Sequence, residues 1–244
     1  MAERPLRIAM WSGPRNLSTA MMRAWGNRAD VAEVRDEPFY AAYLAMTGLE
    51  HPMREAVLAS QPQDWRAVAR DCATAPVAPG RLLYQKQMTH HMLPGIDREW
   101  ILGLANVFLI RAPERVLASY AAKRETVTLE DIGFVQQAEL FDLVAGRTGR
   151  APPVIDAEAV RADPEGVLRR LCAALGIDFD PAMLAWPAGP RESDGVWAPH
   201  WYGSVLASTG FTPPDPAPPA LPAPLAAIAA AARPAYERLR RGAL

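Results

Sequence analysis

The segment Ile8-Ala9-Met10-Trp11-Ser12-Gly13-Pro14-Arg15-Asn16-Leu17-Ser18-Thr19-Ala20 decides how this chain is read. It opens with an apolar run of strand length, turns through Gly13 and Pro14, and enters a helical pattern at two hydroxyl residues. Leu17, Ala20, Met21 and Ala24 share the i, i+3, i+4, i+7 face of that helix. A strand joined to a helix by so short a turn directs free backbone N–H groups and the positive end of the helix dipole at one spot. An anion is the expected occupant. Ser18 and Thr19 add hydroxyl donors and Arg15 adds a full charge, against the plainer reading of a helix capped by Asn16 or Ser18. The loop is not a Walker A sequence. Counted from Gly13, Ser18 stands where the second glycine belongs and Thr19 where the lysine belongs, so Mg-ATP phosphoryl transfer loses support.

Outward from this segment, short apolar runs alternate with helical patterns, which predicts a three-layer α/β/α fold with a mostly parallel sheet of P-loop nucleotide-binding type. Leu6–Met10, Val31–Val34, Arg81–Gln87, Val107–Ile110 and Val154–Ile155 read as strands. Helices are expected at Asn16–Gly26, near Tyr40–Met46 and Asp64–Cys72, and at Pro113–Lys123, where proline occupies the first turn. Another should run from a Thr128 cap toward Ala145, with Asp131 at its third position, and another from Asp163-Pro164-Glu165 to Gly176. Residues 1–244 are expected to form one domain. Its part 178–244 reads as an irregular extension rich in Trp, Pro and Gly, with an extended Pro213–Pro224 and a helical Leu225–Arg241 interrupted near Pro234.

A second strand-turn-helix unit, Val107-Phe108-Leu109-Ile110-Arg111-Ala112-Pro113-Glu114-Arg115-Val116-Leu117-Ala118-Ser119-Tyr120, repeats the logic of the first. Arg111 closes a strand at the sheet edge where ligands bind in open α/β folds, and Ser119 follows two helical turns later. Together they suit a second phosphate; the alternative is that Arg111 pairs with a nearby carboxylate.

The two units together resemble the sulfotransferase family that uses 3′-phosphoadenosine 5′-phosphosulfate (PAPS). In that family a loop of type G-x-P-R-S-G-T-[ST] holds the 5′-phosphosulfate, and an element of type R-[DN]-P-x-x-x-[VLA]-x-S-Y holds the 3′-phosphate. Gly13, Pro14, Arg15, Ser18 and Thr19 match the first; Arg111, Pro113, Ser119 and Tyr120 match the second. Asn16 and Leu17 stand where the family has Ser-Gly, and Ala112 where it has Asp or Asn. The tail shows no clear Arg-Lys-Gly element, with Arg191 only a loose substitute, while residues 194–211 resemble one sulfotransferase-like branch. The resemblance implies a sulfotransferase with PAPS as donor, bound by Gly13, Pro14, Arg15, Asn16, Leu17, Ser18, Thr19, Arg111 and Ser119, and a small-molecule acceptor.

Such a transfer needs charge stabilisation on the leaving phosphate, for which Arg15 is the candidate, and a base for the acceptor. Lys86-Gln87-Met88-Thr89-His90-His91 resembles the family's Lys-Thr-His element, which makes His90 or His91 the base; in an extended chain the two would face opposite sides. Glu37, in the turn after the second strand, is the rival base, and Lys86 is a supporting group. Two readings stay open beside this one: an ATP-dependent small-molecule kinase, and a non-catalytic module that binds 3′-phosphoadenosine nucleotides.

The bulk numbers agree with a compact enzyme domain. A net charge of −1 with no basic run argues against nucleic-acid partners. Leu225–Ala232 is too short to span a bilayer, and Met1–Arg7 does not read as a signal peptide. Cys72 and Cys172, lacking CxxC spacing, are expected as two buried thiols in the cytoplasm, and no metal cluster is expected.

Overall fold

The computed structural model describes residues 5–78, 81–122, 126–214, 217 and 219–244. Residues 1–4 of the Met1–Arg7 segment, the expected helix end at Lys123, and Asp215, Pro216 and Pro218 of the proline-rich segment lie outside the described residues. Five strands, β1 (Leu6–Ser12), β2 (Val31–Asp36), β3 (Leu82–Met88), β4 (Ala105–Ile110) and β5 (Val154–Asp156), form one sheet in the order β2-β3-β1-β4-β5. Every pairing is parallel. The chain leaves β1 toward β2 and leaves β4 toward β5, so the order reverses between β1 and β4, where open α/β sheets bind ligands.

Strand periodicity divides the core. Along β1, Ile8 and Met10 pack on one face while Ala9 and Trp11 pack on the other; along β4, Val107 and Leu109 alternate with Phe108 and Ile110 in the same way. The first face is covered by α1 (Ser18–Gly26), α2 (Tyr40–Thr47), α3 (Arg54–Ser60), and, further along the chain, the pair Ala157–Ala162 and Pro164–Leu175. The second is covered by α4 (Trp65–Thr74), α5 (Pro113–Ala121), the pair α6 (Leu129–Ile132) and α7 (Phe134–Thr148), and the long C-terminal helix. With α8 (Ala157–Ala162), α9 (Pro164–Leu175), α10 (Ala198–Trp201), α11 (Gly203–Leu206) and α12 (Ala223–Arg240), the architecture is the expected α/β/α sandwich. Residues after 178 contribute to both faces, with Met183, Trp186, Trp197 and Tyr202 on the first and Ala229, Ala232, Tyr236 and Leu239 on the second. Both cysteines are buried and unpaired.

Four local differences from the sequence reading have physical causes. First, α1 starts at Ser18 rather than Asn16, because Leu17 is left-handed (φ 57°) and caps it without a side-chain bond. Second, the helix expected from Thr128 to Ala145 is two helices. Thr128 and Asp131 form a reciprocal capping box, and Gly133 (φ 67°) then breaks the run. Third, α12 continues through Pro234 instead of stopping there. Its buried Ala229, Ala232, Tyr236 and Leu239 pack beside α5 and α7, which offsets the missing N–H. Finally, α3, with a single buried residue, Val57, carries too little periodicity to be seen in the sequence.

Two glycines let the sheet edge close. A Cβ on Gly13 would come within 2.4 Å of the Ile132 carbonyl oxygen, and one on Gly133 within 2.5 Å of Thr89 Oγ1. Thr89 Oγ1 donates to the Gly133 carbonyl at 2.9 Å, so the end of β3 and the α6–α7 break are locked together. The variant Gly133→Ala combines a positive φ with this collision and is expected to lose about 1–3 kcal/mol of unfolding free energy in urea titrations. Unchanged stability would mean that this contact does not hold the two segments.

Candidate functional site

Three strand ends converge at one edge of the sheet. β1 delivers residues 13–17 and the start of α1, β4 delivers Arg111 and α5, and β3 delivers Lys86 and the turn Thr89–His91. They enclose a cavity of about 210 Å³, whose walls include Arg15, Ser18, Thr19, Arg111 and Ser119 on one side and Glu37, Tyr40, Lys86, His90 and His91 on the other. Pro14, Asn16 and Leu17 line it as well; Gly13 sits behind the wall, packed against α6.

The β1–α1 loop is shaped by backbone rather than by capping side chains. Arg15 (φ 59°) and Leu17 (φ 57°) are both left-handed, with Asn16 between them. The first intrahelical bond runs from Met21 N–H to the Leu17 carbonyl, which leaves the amides of the first turn facing the cavity edge. Asn16, which replaces a smaller residue of the family pattern, turns inward. Its Nδ2 donates to the Leu109 carbonyl at 2.8 Å, and Gln137 Nε2 donates to the same carbonyl and to that of Trp11. Gln137 has no motif around it and was invisible to sequence reasoning.

Arg15 and Arg111 meet at the β1–β4 junction. Arg15 Nε donates to Ser119 Oγ at 2.9 Å, and Arg111 donates to the Arg15 carbonyl at 2.9 Å and to Glu158 Oε1 at 3.1 Å. Arg111 thus has the carboxylate partner that the alternative reading foresaw, while still bordering the cavity. Among the described residues no carboxylate faces Arg15. Burial, and then the neighbouring Arg111, push its pKa down, the mark of a positive charge short of compensation.

The opposite wall centres on Lys86, 1 % exposed. Its Nζ donates to Asp36 at 3.0 Å, Glu37 at 2.8 Å and the Tyr202 hydroxyl at 2.5 Å. Those bonds use all of the ammonium's donors. Burial raises the Glu37 pKa most, with Asp36 adding to it and Lys86 working against it. Tyr202 donates in turn to Asp36 at 2.6 Å and accepts from Trp197 Nε1 at 2.9 Å. Tyr202, Tyr40 and His51 are site residues that sequence reading did not single out: Tyr40 and His51 lie in no motif, and the tail segment 194–211 that contains Tyr202 carried only a resemblance, with no role for the tyrosine.

His90 and His91 do not diverge as an extended chain would place them. Residues Thr89–His91 form a 3₁₀ turn, and the two rings lie 4.4 Å apart on the same cavity wall. His91 is stacked between Tyr40 and Tyr43, at 5.1 and 4.7 Å, and is 1 % exposed; His90 is 7 % exposed. Burial, followed by His90, His51 and Lys86, pushes the His91 pKa well below the ordinary range. Arg191, the loose tail substitute, lines a separate surface groove, and His200 does not reach the cavity.

The family described as Sulfotransferase domain matches residues 6–243. The chain belongs to this family. Two Arabidopsis thaliana proteins are similar to it. Branched-chain-amino-acid aminotransferase-like protein 1 is 37% identical over 240 residues, covering 98% of this chain and 42% of its own length. Branched-chain-amino-acid aminotransferase-like protein 2 is 34% identical over 235 residues, covering 96% and 41%. This sulfotransferase domain therefore spans less than half the length of those relatives. Among solved structures, the sulfotransferase domain from the Synechococcus PCC 7002 olefin synthase aligns with TM-score 0.47 at 20% identity, covering 94% of each chain. Among the described residues of the sulfotransferase domain, no group of His, Cys, Asp and Glu could hold a metal, and no helix is long and apolar enough to cross a membrane.

The depressed His91 pKa sets a pH dependence. Below its ordinary value the unfolded chain binds a proton that the folded chain refuses, so stability is present above about pH 6.5 and is lost as pH falls. Between pH 7.5 and 5.5 His91 should contribute a loss of about 1 kcal/mol. The His91→Phe variant lacks this component. Equal slopes for the two in urea unfolding would contradict the assignment.

Proposed function

We propose that this sulfotransferase domain transfers a sulfuryl group from PAPS to a hydroxyl or amine of a small acceptor. The carrying observation is Arg15: a half-buried guanidinium that no carboxylate faces among the described residues, at the uncapped start of α1, beside Arg111 and Ser119. Uncompensated positive charge joined to free helix-start amides favours a multiply charged anion. When bound, PAPS supplies the sulfuryl group and a phosphate leaving group.

The residues divide the work. Arg15, Ser18, Thr19 and the first-turn amides hold the 5′ end and offset charge that develops on the leaving phosphate. Arg111 and Ser119 take the 3′-phosphate, Arg111 already being oriented by Glu158. His90 is assigned as the base that takes the acceptor's proton, because it keeps more exposure than His91, whose ring is enclosed by two tyrosines. Glu37 is occupied by Lys86 and serves to hold that wall. The two unpaired buried thiols suit a reducing cytoplasm, and residues 178–244 are assigned to the same single domain as the sheet.

Calorimetric titration with 3′-phosphoadenosine 5′-phosphate, without metal and with AMP and ATP as controls, tests the donor. Tight binding that needs the 3′-phosphate is expected. Arg111→Ala and Ser119→Ala should each weaken it about tenfold or more, whereas a preference for Mg-ATP would refute the reading. His90→Gln should leave nucleotide binding intact and lower kcat by about 10²–10⁴. An unchanged kcat would remove His90 as the base.

A further inference from the structure

Residues 194–206 enter the site from the irregular tail and are fixed there by buried polar ties. Arg23 holds Asp194 through paired bonds of 2.5 and 2.7 Å, with both side chains buried. Gly195 N–H donates to Asp36 Oδ2 at 3.0 Å, and the Tyr202 hydroxyl is held among Asp36, Lys86 and Trp197. So anchored, the segment presents Trp201, Ser204 and Val205 to the cavity that Tyr40, His51 and His90 also line. The segment spans both sides of the cavity: the Tyr202 hydroxyl reaches Lys86, and the Trp201 carbonyl accepts from Arg15 Nη1 at 3.5 Å.

We propose that residues 194–206 form the acceptor-recognition wall of this site, positioned by Tyr202, and that the site selects a compact, uncharged hydroxyl compound. This rests on the donor assignment above, which gives the Arg15 and Arg111 side to the nucleotide. The charge pattern of the remaining side argues for neutrality. Lys86 has no donor left for an acidic acceptor, and Glu37 already accepts from Lys86, so it lacks a free charge for an ammonium group. Tyr40 and His51 bond each other at 2.9 Å. Bringing a charged acceptor against this wall would desolvate it without a counter-ion. Size follows from sharing: one cavity of about 210 Å³ is lined by both the nucleotide side and this wall, so the acceptor has only part of it. Val205 and Ser204, on a short helix at the rim, set the remaining width.

The test is binding to the protein saturated with 3′-phosphoadenosine 5′-phosphate, using phenol and cyclohexanol as neutral probes and 4-hydroxybenzoate and tyramine as charged ones. The neutral probes should bind, and the charged ones should bind about tenfold or more weakly. Val205→Phe, at a partly exposed position that should not disturb folding, should weaken phenol binding about tenfold while leaving the nucleotide Kd unchanged. Tyr202→Phe should likewise weaken phenol, spare the nucleotide, and speed amide exchange across residues 194–206, which a loss of overall stability would not confine to that segment. Charged probes binding as well as neutral ones, absence of neutral binding, or a Val205→Phe variant with unaltered phenol affinity would each overturn the proposal. Failure of the unmodified protein to bind the nucleotide would instead sink the donor assignment, and with it this proposal.

Discussion

A single ammonium group organises one wall of the cavity in this domain. Lys86 lies in a strand whose seven residues are all buried, and its charge is tolerable there only because Asp36, Glu37 and Tyr202 all accept from it. Each partner comes from a different part of the chain: Asp36 from the end of β2, Glu37 from the turn that follows, and Tyr202 from the tail. Removing one partner would strand the charge or one of its carboxylates, a penalty far larger than the net worth of a single surface ion pair. The cluster therefore specifies geometry more than it adds stability. It joins β2 to β3 at the edge where the sheet opens and brings the aromatic tail to that edge. The polar neighbours on β3 obey the same rule. Gln85 donates to the Cys72 carbonyl and Gln87 to Gln85, so the strand's buried amides are tied in place.

What could be read from the sequence was whatever depends on local order. The strand-turn-helix units at Ser12–Ser18 and Ile110–Pro113 announce themselves through apolar runs that end in Gly, Pro and Arg, and the parallel α/β sandwich follows from their alternation. Gly176 in the left-handed conformation ends α9, as its position suggests. What the sequence concealed depends on contacts between distant residues. Tyr202 resembles any tail aromatic until its hydroxyl is found donating a hydrogen bond to Asp36, 166 positions away. Gln137 looks like a solvent-facing helix residue, yet it is 2 % exposed and ties β1 to β4. The histidine pair illustrates a different limit. A switch from strand to a single 3₁₀ turn at Thr89 reverses the side to which one ring points, and no composition signal marks that switch. His51 was hidden because α3 and the loop before it carry almost no apolar periodicity.

Backbone strain follows the same map. The non-glycine residues with positive φ among those described are Arg15, Leu17, Glu37 and Met53. Arg15, Leu17 and Glu37 line the cavity, and Met53 lies two residues from His51, which lines it too. Such conformations cost about 1 kcal/mol or more apiece and persist only where surrounding contacts over-determine them. Those contacts are visible. Asn16 pins the loop around Arg15 and Leu17 to the Leu109 carbonyl, Gln137 ties that carbonyl to the end of β1, and Lys86 holds Glu37 by both its Nζ and its backbone carbonyl, which accepts from Glu37 N–H at 3.0 Å. In the β1–α1 loop a left-handed Leu17 stands where the family pattern has glycine, turning the chain sharply into α1 so that the first-turn amides face the cavity edge. A side chain at that position packs against the core beneath the loop, which an unsubstituted glycine could not do. The departure at Asn16-Leu17 therefore preserves the turn by a different means: the amide of Asn16 and the packing of Leu17 supply the rigidity, and the backbone conformation survives the exchange of residues.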